Sequence, residues 1–217
     1  MLARLFAVCR RGEPCIQTIK EDNERILNIL ETSPFVISHY PATHPLYKRY
    51  NENILKKIDI FSEFICRGEV SKEYISETQE KMMPILTMVV SLNNDGKPSF
   101  QGFAQSEIQY PSMFRPELHI YTICTVPGKK LGKEMLESIV EFASKKVPIE
   151  KVTLKSIAKS VGFYNKMGFT RDDPPSEPDN NITDGLMNEN DIEPISMSKQ
   201  LKGGKRKRKT SKRKTRR

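Results

Sequence analysis

Hydrophobic positions along the chain follow a helical period at first, then a strand period, and then alternate between the two. Between Glu21 and Leu30, Ile26, Leu27, Ile29 and Leu30 share a helical face, and Ser33-Pro34 stops the run. From Tyr47 to Arg67, Ile54, Leu55, Ile58, Phe61, Phe64 and Ile65 recur at spacings of three and four, which predicts one long helix closed by Gly68. Ahead of both, Leu5, Ala7 and Cys9 alternate as in an opening strand, while His39 and His44 sit in a proline-flanked stretch read as a loop. Residues 84–92 are rich in β-formers and lead into Asn93-Asn94-Asp95-Gly96-Lys97-Pro98, a turn. A second strand is expected from Ser99 to about Gln109, and a third over Glu117 to Val126. The helical period returns from Lys130 to Lys145, with Leu131, Met135, Leu136, Ile139, Val140 and Phe142 on the apolar side. A strand over Lys151 to Ile157 follows, and another pattern of this kind spans Pro194 to Leu201. Adjacent hairpin strands followed by a strand–helix–strand unit predict an α/β (α+β) fold. Its central sheet is mixed and mostly antiparallel, flanked by helices.

Length and composition narrow this picture. At 217 residues, 37% hydrophobic and 29% charged, the chain can hold one α/β domain over 1–201 with polar additions. No apolar run reaches the roughly 18–20 residues needed to cross a bilayer, so no membrane partner is expected. The net charge of +9 belongs to one end: residues 202–217 hold eleven Lys or Arg and no acid, leaving −2 for the remainder. Like-charge repulsion predicts an extended, disordered tail that binds nucleic acid or another polyanion without sequence preference. Residues 172–193 have the opposite character, with eight Asp or Glu and no Lys or Arg, and read as a flexible acidic insertion. The four cysteines, at 9, 15, 66 and 124, show no metal-site or disulfide spacing. Reduced thiols in a cytosolic or nuclear setting are expected, with no metal site.

The most informative segment is Ser160-Val161-Gly162-Phe163-Tyr164-Asn165-Lys166-Met167-Gly168-Phe169. Its spacing predicts a short helix ending on a left-handed glycine, Gly168, and turning straight into a strand. This Phe-Tyr-x-Lys-x-Gly-Phe run resembles the second signature segment of the GNAT N-acetyltransferase superfamily. The resemblance implies that acetyl-CoA is the cofactor and that Phe163, Tyr164 and Lys166 lie beside its thiol end, with Tyr164 protonating the departing thiolate. Ile157 stands where the family usually has an asparagine.

A second likeness precedes it. Val126-Pro127-Gly128-Lys129-Lys130-Leu131-Gly132-Lys133 joins a strand to a helix and resembles the superfamily's pyrophosphate-binding signature. Gly128 and Gly132 permit close backbone approach, and Lys129, Lys130 and Lys133 supply charge. Lys130 and Pro127 depart from the pattern, taking a glycine slot and an Arg-or-Gln slot. The resemblance further implies that the backbone of Ile123, Cys124, Thr125 and Val126 holds the pantetheine arm.

Acetyl transfer to an amine needs a base, a polarised carbonyl and an acid for the thiolate. Glu107 and Glu117 are the candidate bases, with His119 a third. Glu117 and His119 share a strand face. No Cys-His-Asn pattern accompanies Cys124, so a thiol nucleophile is rejected. Two functions from different classes remain open. One is an acetyl-CoA-dependent N-acetyltransferase acting on a primary amine by direct attack in a ternary complex. The other is a catalytically degenerate module that binds nucleic acid or serves a structural role through its basic tail. Such tails resemble those of large DNA virus proteins, which extends the expected setting to a host cell or virion.

Overall fold

The computed structural model describes residues 16–80, 85–112, 115–172 and 194–201. The opening strand at Leu5–Cys9, the basic tail and all of the acidic insertion except Asp172 lie outside the described residues.

One seven-stranded sheet runs in the order β1-β2-β3-β4-β5-β7-β6. Its strands are β1 (Phe35–Pro41), β2 (Ile85–Leu92), β3 (Pro98–Ser112), β4 (Arg115–Thr125), β5 (Lys151–Ser156), β6 (Thr170–Arg171) and β7 (Ile195–Gln200). Among the described residues, five of the six pairings are antiparallel, and only β4 and β5 run parallel. The connection between them is α5 (Leu131–Lys146), the crossover a parallel pair requires. The short helix α6 (Val161–Lys166) follows β5, and Gly168, at φ 83°, turns the chain into β6. This is the mixed sheet that the hydrophobic pattern predicts, with β7 beside β6 as expected.

Two large cores cover parts of the sheet. Leu131, Met135, Leu136, Ile139 and Ala143 of α5 pack with Leu118, Ile120, Val152, Leu154, Tyr164 and Met197. The second core gathers the helices that precede β2 and packs Tyr47, Ile54, Phe61, Ile65 and Ile75 with Leu86, Phe103 and Cys124. A smaller cluster seats α1 (Ile16–Leu30) through Ile26 and Leu30 against Val36.

Three sequence expectations change. The helix expected over Tyr47–Arg67 is broken into α2 (Tyr47–Lys56), the single turn α3 (Ile58–Ile60) and a π-helical turn at Phe61–Ile65. Lys57 leaves helical geometry at φ −120°, and the π turn adds a residue without disturbing the apolar stripe that suggested continuity. The stretch containing His39 is the edge strand β1, where prolines are tolerated at the strand ends. His44 does lie in a turn, its ring nitrogen accepting the Leu46 N–H at 3.2 Å. Cysteines 66 and 124 form a disulfide rather than free thiols. Their separation of 58 residues hides a Cα–Cα distance of 5.0 Å, which the fold creates by setting the end of the π turn against β4.

His39 is held between the hydroxyls of Thr87 and Ser138, each 2.9 Å away, and stacks on Phe142. Burial pushes its pKa down from 6.5 to about 4, with Glu141 opposing and Lys145 assisting. A depressed histidine contributes stability in full above pH 6.5 and loses it as pH falls toward 4. Thermal unfolding of the His39→Gln variant should therefore vary less with pH across that window than unfolding of the unaltered chain.

Candidate active site

The parallel pairing of β4 and β5 is short. Glu117 to Ile120 face Lys151 to Leu154, and beyond Ile120 no residue of β4 has a partner in β5. The split begins at a β-bulge. Gln105 pairs with Thr122 and Ser106 with Ile120, so Tyr121 is an extra residue in β4. Such a bulge bends the strand and shifts which side chains face each side of the sheet. The separated strands open into a cavity of about 680 Å³. Its walls are β4 from Ile120 to Thr125, β5 from Leu154 to Ser156, Phe163 and Tyr164 of α6, and the segment from Ile65 to Arg67.

At one end the cavity meets the entry to α5. Gly128 has φ 78° and Lys130, the N-cap of α5, has φ 55°, both left-handed. Lysine thus adopts a left-handed backbone that glycine takes up more readily, and the loop turns into α5 without a glycine at this position. The N-cap makes no side-chain capping bond, so among the described residues the Lys130 side chain does not take up the first N–H groups of the 16-residue helix. A Cβ at Gly132 would lie 3.4 Å from the Phe163 ring, an ordinary van der Waals contact. Lining the cavity here are Val126, Gly128, Lys130 and Gly132.

Tyr164 is buried at 6% exposure and lines the cavity. Burial pushes its hydroxyl pKa well above 10. Its ring meets Phe163 and Phe169 edge-on, and its hydroxyl makes no hydrogen bond to another described residue. The fold thus sets a protonated phenol in the wall where the sequence reading expects an acid.

The candidate bases separate. Glu107 on β3 accepts a 2.7 Å hydrogen bond from the Tyr121 hydroxyl and a 3.1 Å bond from the Gln109 amide. Tyr121 lines the cavity, so Glu107 reaches it through one side chain. Burial and the bond to Glu107 push the Tyr121 pKa up to about 12. Glu117 lies on the paired stretch of β4, opposite Gln109 and Lys151, and does not line the cavity. His119 pairs with Glu107 in register, meets Thr153 Oγ1 at 2.8 Å and packs edge-on against Tyr121. Burial lowers its pKa, with Glu107 opposing and Lys155 assisting.

Ile123, Cys124, Thr125, Val126, Gly128, Lys130, Gly132, Phe163 and Tyr164 are therefore brought together around one cavity. Lys129, Leu131, Lys133 and Lys166 do not line it. Leu131 is core, and Lys133 sits 4.0 Å from Glu137 on the outer face of α5. Tyr121 was missed by sequence reasoning, although its alternation with His119 was visible. Nothing local marks the bulge that turns it toward the opening. Tyr74 of α4 (Lys72–Glu80), a helix the sequence reading passed over, also lines the cavity and donates to the Tyr121 carbonyl at 2.9 Å.

Among the described residues, no cluster of His, Cys, Asp or Glu could hold a metal ion, and no helix is long and apolar enough to cross a membrane. No curated protein sequence gives a significant match. Solved structures do match. An inferred N-acetyltransferase from Lactobacillus plantarum shares 14% identity with a TM-score of 0.52, covering 78% of this chain and 99% of its own. The PaiA N-acetyltransferase from Thermoplasma acidophilum, solved with coenzyme A, shares 18% identity over 76% of this chain and 99% of its own, at a TM-score of 0.47. The family model for the acetyltransferase (GNAT) domain matches residues 61–187, more than half of the chain. The chain belongs to the GNAT acetyltransferase family.

Proposed function

We propose that this protein is an acetyl-CoA-dependent N-acetyltransferase that acetylates a primary amine by direct attack in a ternary complex. The observation that carries the reading is the cavity opened by the departure of β5 from β4, with the uncapped start of α5 at one end and Tyr164 in its wall.

The pyrophosphate fits the Gly128–Lys130 loop and the first N–H groups of α5, which supply dipole, donors and the Lys130 charge. The pantetheine arm fits along the unpaired edge of β4 between Tyr121 and Val126. In this reading an ammonium acceptor gives a proton to the Tyr121 oxygen as the Tyr121 hydroxyl passes its own to Glu107. The neutral amine attacks the thioester carbonyl, the tetrahedral intermediate collapses with breakage of the C–S bond, and Tyr164 gives its proton to the coenzyme A thiolate. The attacking nitrogen gives up its extra proton through water to the Tyr164 oxygen, which restores the phenol and leaves a neutral amide. A tyrosine held at about 12 is suited to relaying a proton without ionising.

Glu107→Gln tests the relay. Acetylation measured by release of free thiol should fall roughly a hundredfold near neutral pH, the lower end of the usual range for general bases. The deficit should shrink as pH rises, because the acceptor then arrives already neutral while Tyr121 stays protonated. A loss equally large at every pH would remove Glu107 from proton transfer.

A further inference from the structure

The acetyl-transfer reading leaves one reactive group of the cavity wall unused. Cys66 and Cys124 both line the cavity, joined to each other as a disulfide. Cys66 closes the π-helical turn, followed by Arg67 and Gly68, both with left-handed backbone. Cys124 lies on β4 beyond the point at which β5 departs. Both residues are nearly closed to bulk solvent, at 4% and 5% exposure. Little surface of either residue is open to a passing thiol, whereas a thiol held in the cavity that both residues line has time to meet it.

That cavity is where the proposed reaction leaves a thiol. Acetyl transfer produces free coenzyme A, whose thiol end is then tethered inside by its pyrophosphate. The Gly128–Lys130 loop is joined to Cys124 by at most about 20 Å of chain, the order of an extended pantetheine arm. Tethering raises the effective concentration of one reactant at the other without any change in intrinsic reactivity.

We propose that the Cys66–Cys124 disulfide is a thiol-exchange site addressed by coenzyme A bound in the same cavity, an inference that rests on the cofactor reading above. The coenzyme A thiolate attacks one cysteine sulfur and forms a new S–S bond to it. The Cys66–Cys124 bond breaks, and the other cysteine leaves as a thiolate that takes a proton from water. The exchange stops at this mixed disulfide, because the arm that fills the cavity keeps a second coenzyme A away from it. In sum, one coenzyme A thiol is joined to one cysteine and the other cysteine is released as a thiol. While the mixed disulfide lasts, the pantetheine arm is covalently fixed in the cavity and blocks acetyl-CoA.

The test follows the disulfide in the oxidised full-length chain incubated with coenzyme A or with glutathione at equal concentration. Free thiols are alkylated at intervals, and peptide mass spectrometry reads Cys66 and Cys124 separately from Cys9 and Cys15. The expected result is opening roughly a hundredfold faster with coenzyme A, a modest share of the effective molarity available to tethered reactants. Coenzyme A should be recovered on Cys66 or Cys124, and excess acetyl-CoA, which has no free thiol, should slow opening to the glutathione rate. Equal rates for the two thiols would overturn the proposal, as would both cysteines being alkylated before any thiol is added. Calorimetry with acetyl-CoA on the same sample separates the two ideas. Binding with equal rates rejects exchange and leaves the transferase reading standing, whereas no binding with equal rates rejects both.

Discussion

Replacing Tyr164 with phenylalanine is expected to lower the acetyl-transfer rate by about 10²–10⁴-fold, the usual worth of a positioned general acid. Affinity for acetyl-CoA should stay within a few-fold. Burial holds the phenol protonated at neutral pH, so its hydroxyl meets the leaving sulfur as a hydrogen-bond donor. That proton is not committed to another described residue. Phenylalanine retains the edge-on contacts with Phe163 and Phe169, so the sheet-side packing that Tyr164 shares with α5 should persist. Single-turnover kinetics with a thiol-reactive dye separates the roles. A slow chemical step with normal binding identifies an acid. An unchanged rate with a lowered melting temperature would make Tyr164 a core residue alone.

The second large effect concerns the backbone that shapes the cavity. At Gly102 on β3, a Cβ would lie 2.5 Å from the Cys124 carbonyl oxygen and 3.0 Å from the Thr125 Cα. These are backbone atoms of β4, so no side-chain rotation relieves the contact. β3 is also held on its other side, where Gly102 pairs with Val89. Gly102→Ala must therefore push β4 outward at the residues that line the opening. The expected cost is about 1–3 kcal/mol, the usual range for overpacking, read as a lower midpoint in urea unfolding. Acetyl-CoA binding should weaken with it. A variant with unchanged midpoint and affinity would mean that β4 yields freely here, and the cavity geometry would lose its support.

What the sequence revealed and what it hid follow from physics that differs along the chain. The unit from β4 through α5 to β5 was legible because α5 buries one clean stripe, Leu131, Met135, Leu136 and Ile139, and the period changes sharply at each end. The stop at Gly168 was legible because a left-handed residue was required there. Edge strand β1 was not, since prolines flank it and only Val36, Ser38 and Tyr40 turn inward. Helix α4 is mostly polar, with Ile75 as its fully buried anchor, so it leaves little periodic signal. For the site, the nine cavity-lining positions anticipated from the two signatures and the strand before the first lie in two short stretches of sequence, 123–132 and 163–164. Tyr121 depends on a bulge, and the Cys66–Cys124 bridge depends on a π turn; both are long-range outcomes of strand register and helix geometry. Glu107 was a candidate by strand position alone, and its bond through Tyr121 to the cavity emerges only with the sheet assembled.

The proposed transferase requires that the cleft between β4 and β5 hold acetyl-CoA by the loop entering α5. The measurement that tests it most directly is calorimetric titration of acetyl-CoA into the chain and into Gly128→Val, each with and without residues 202–217, so that the eleven basic residues of the tail cannot account for the heat. Valine is strained at the φ of 78° that Gly128 adopts, so the cradle should be disturbed while the tail is untouched. One saturable site with micromolar affinity is expected, surviving removal of the tail and weakening at least roughly tenfold in Gly128→Val, a loss of about 1.4 kcal/mol. Binding that disappears with the tail, or that ignores the change at Gly128, would contradict it.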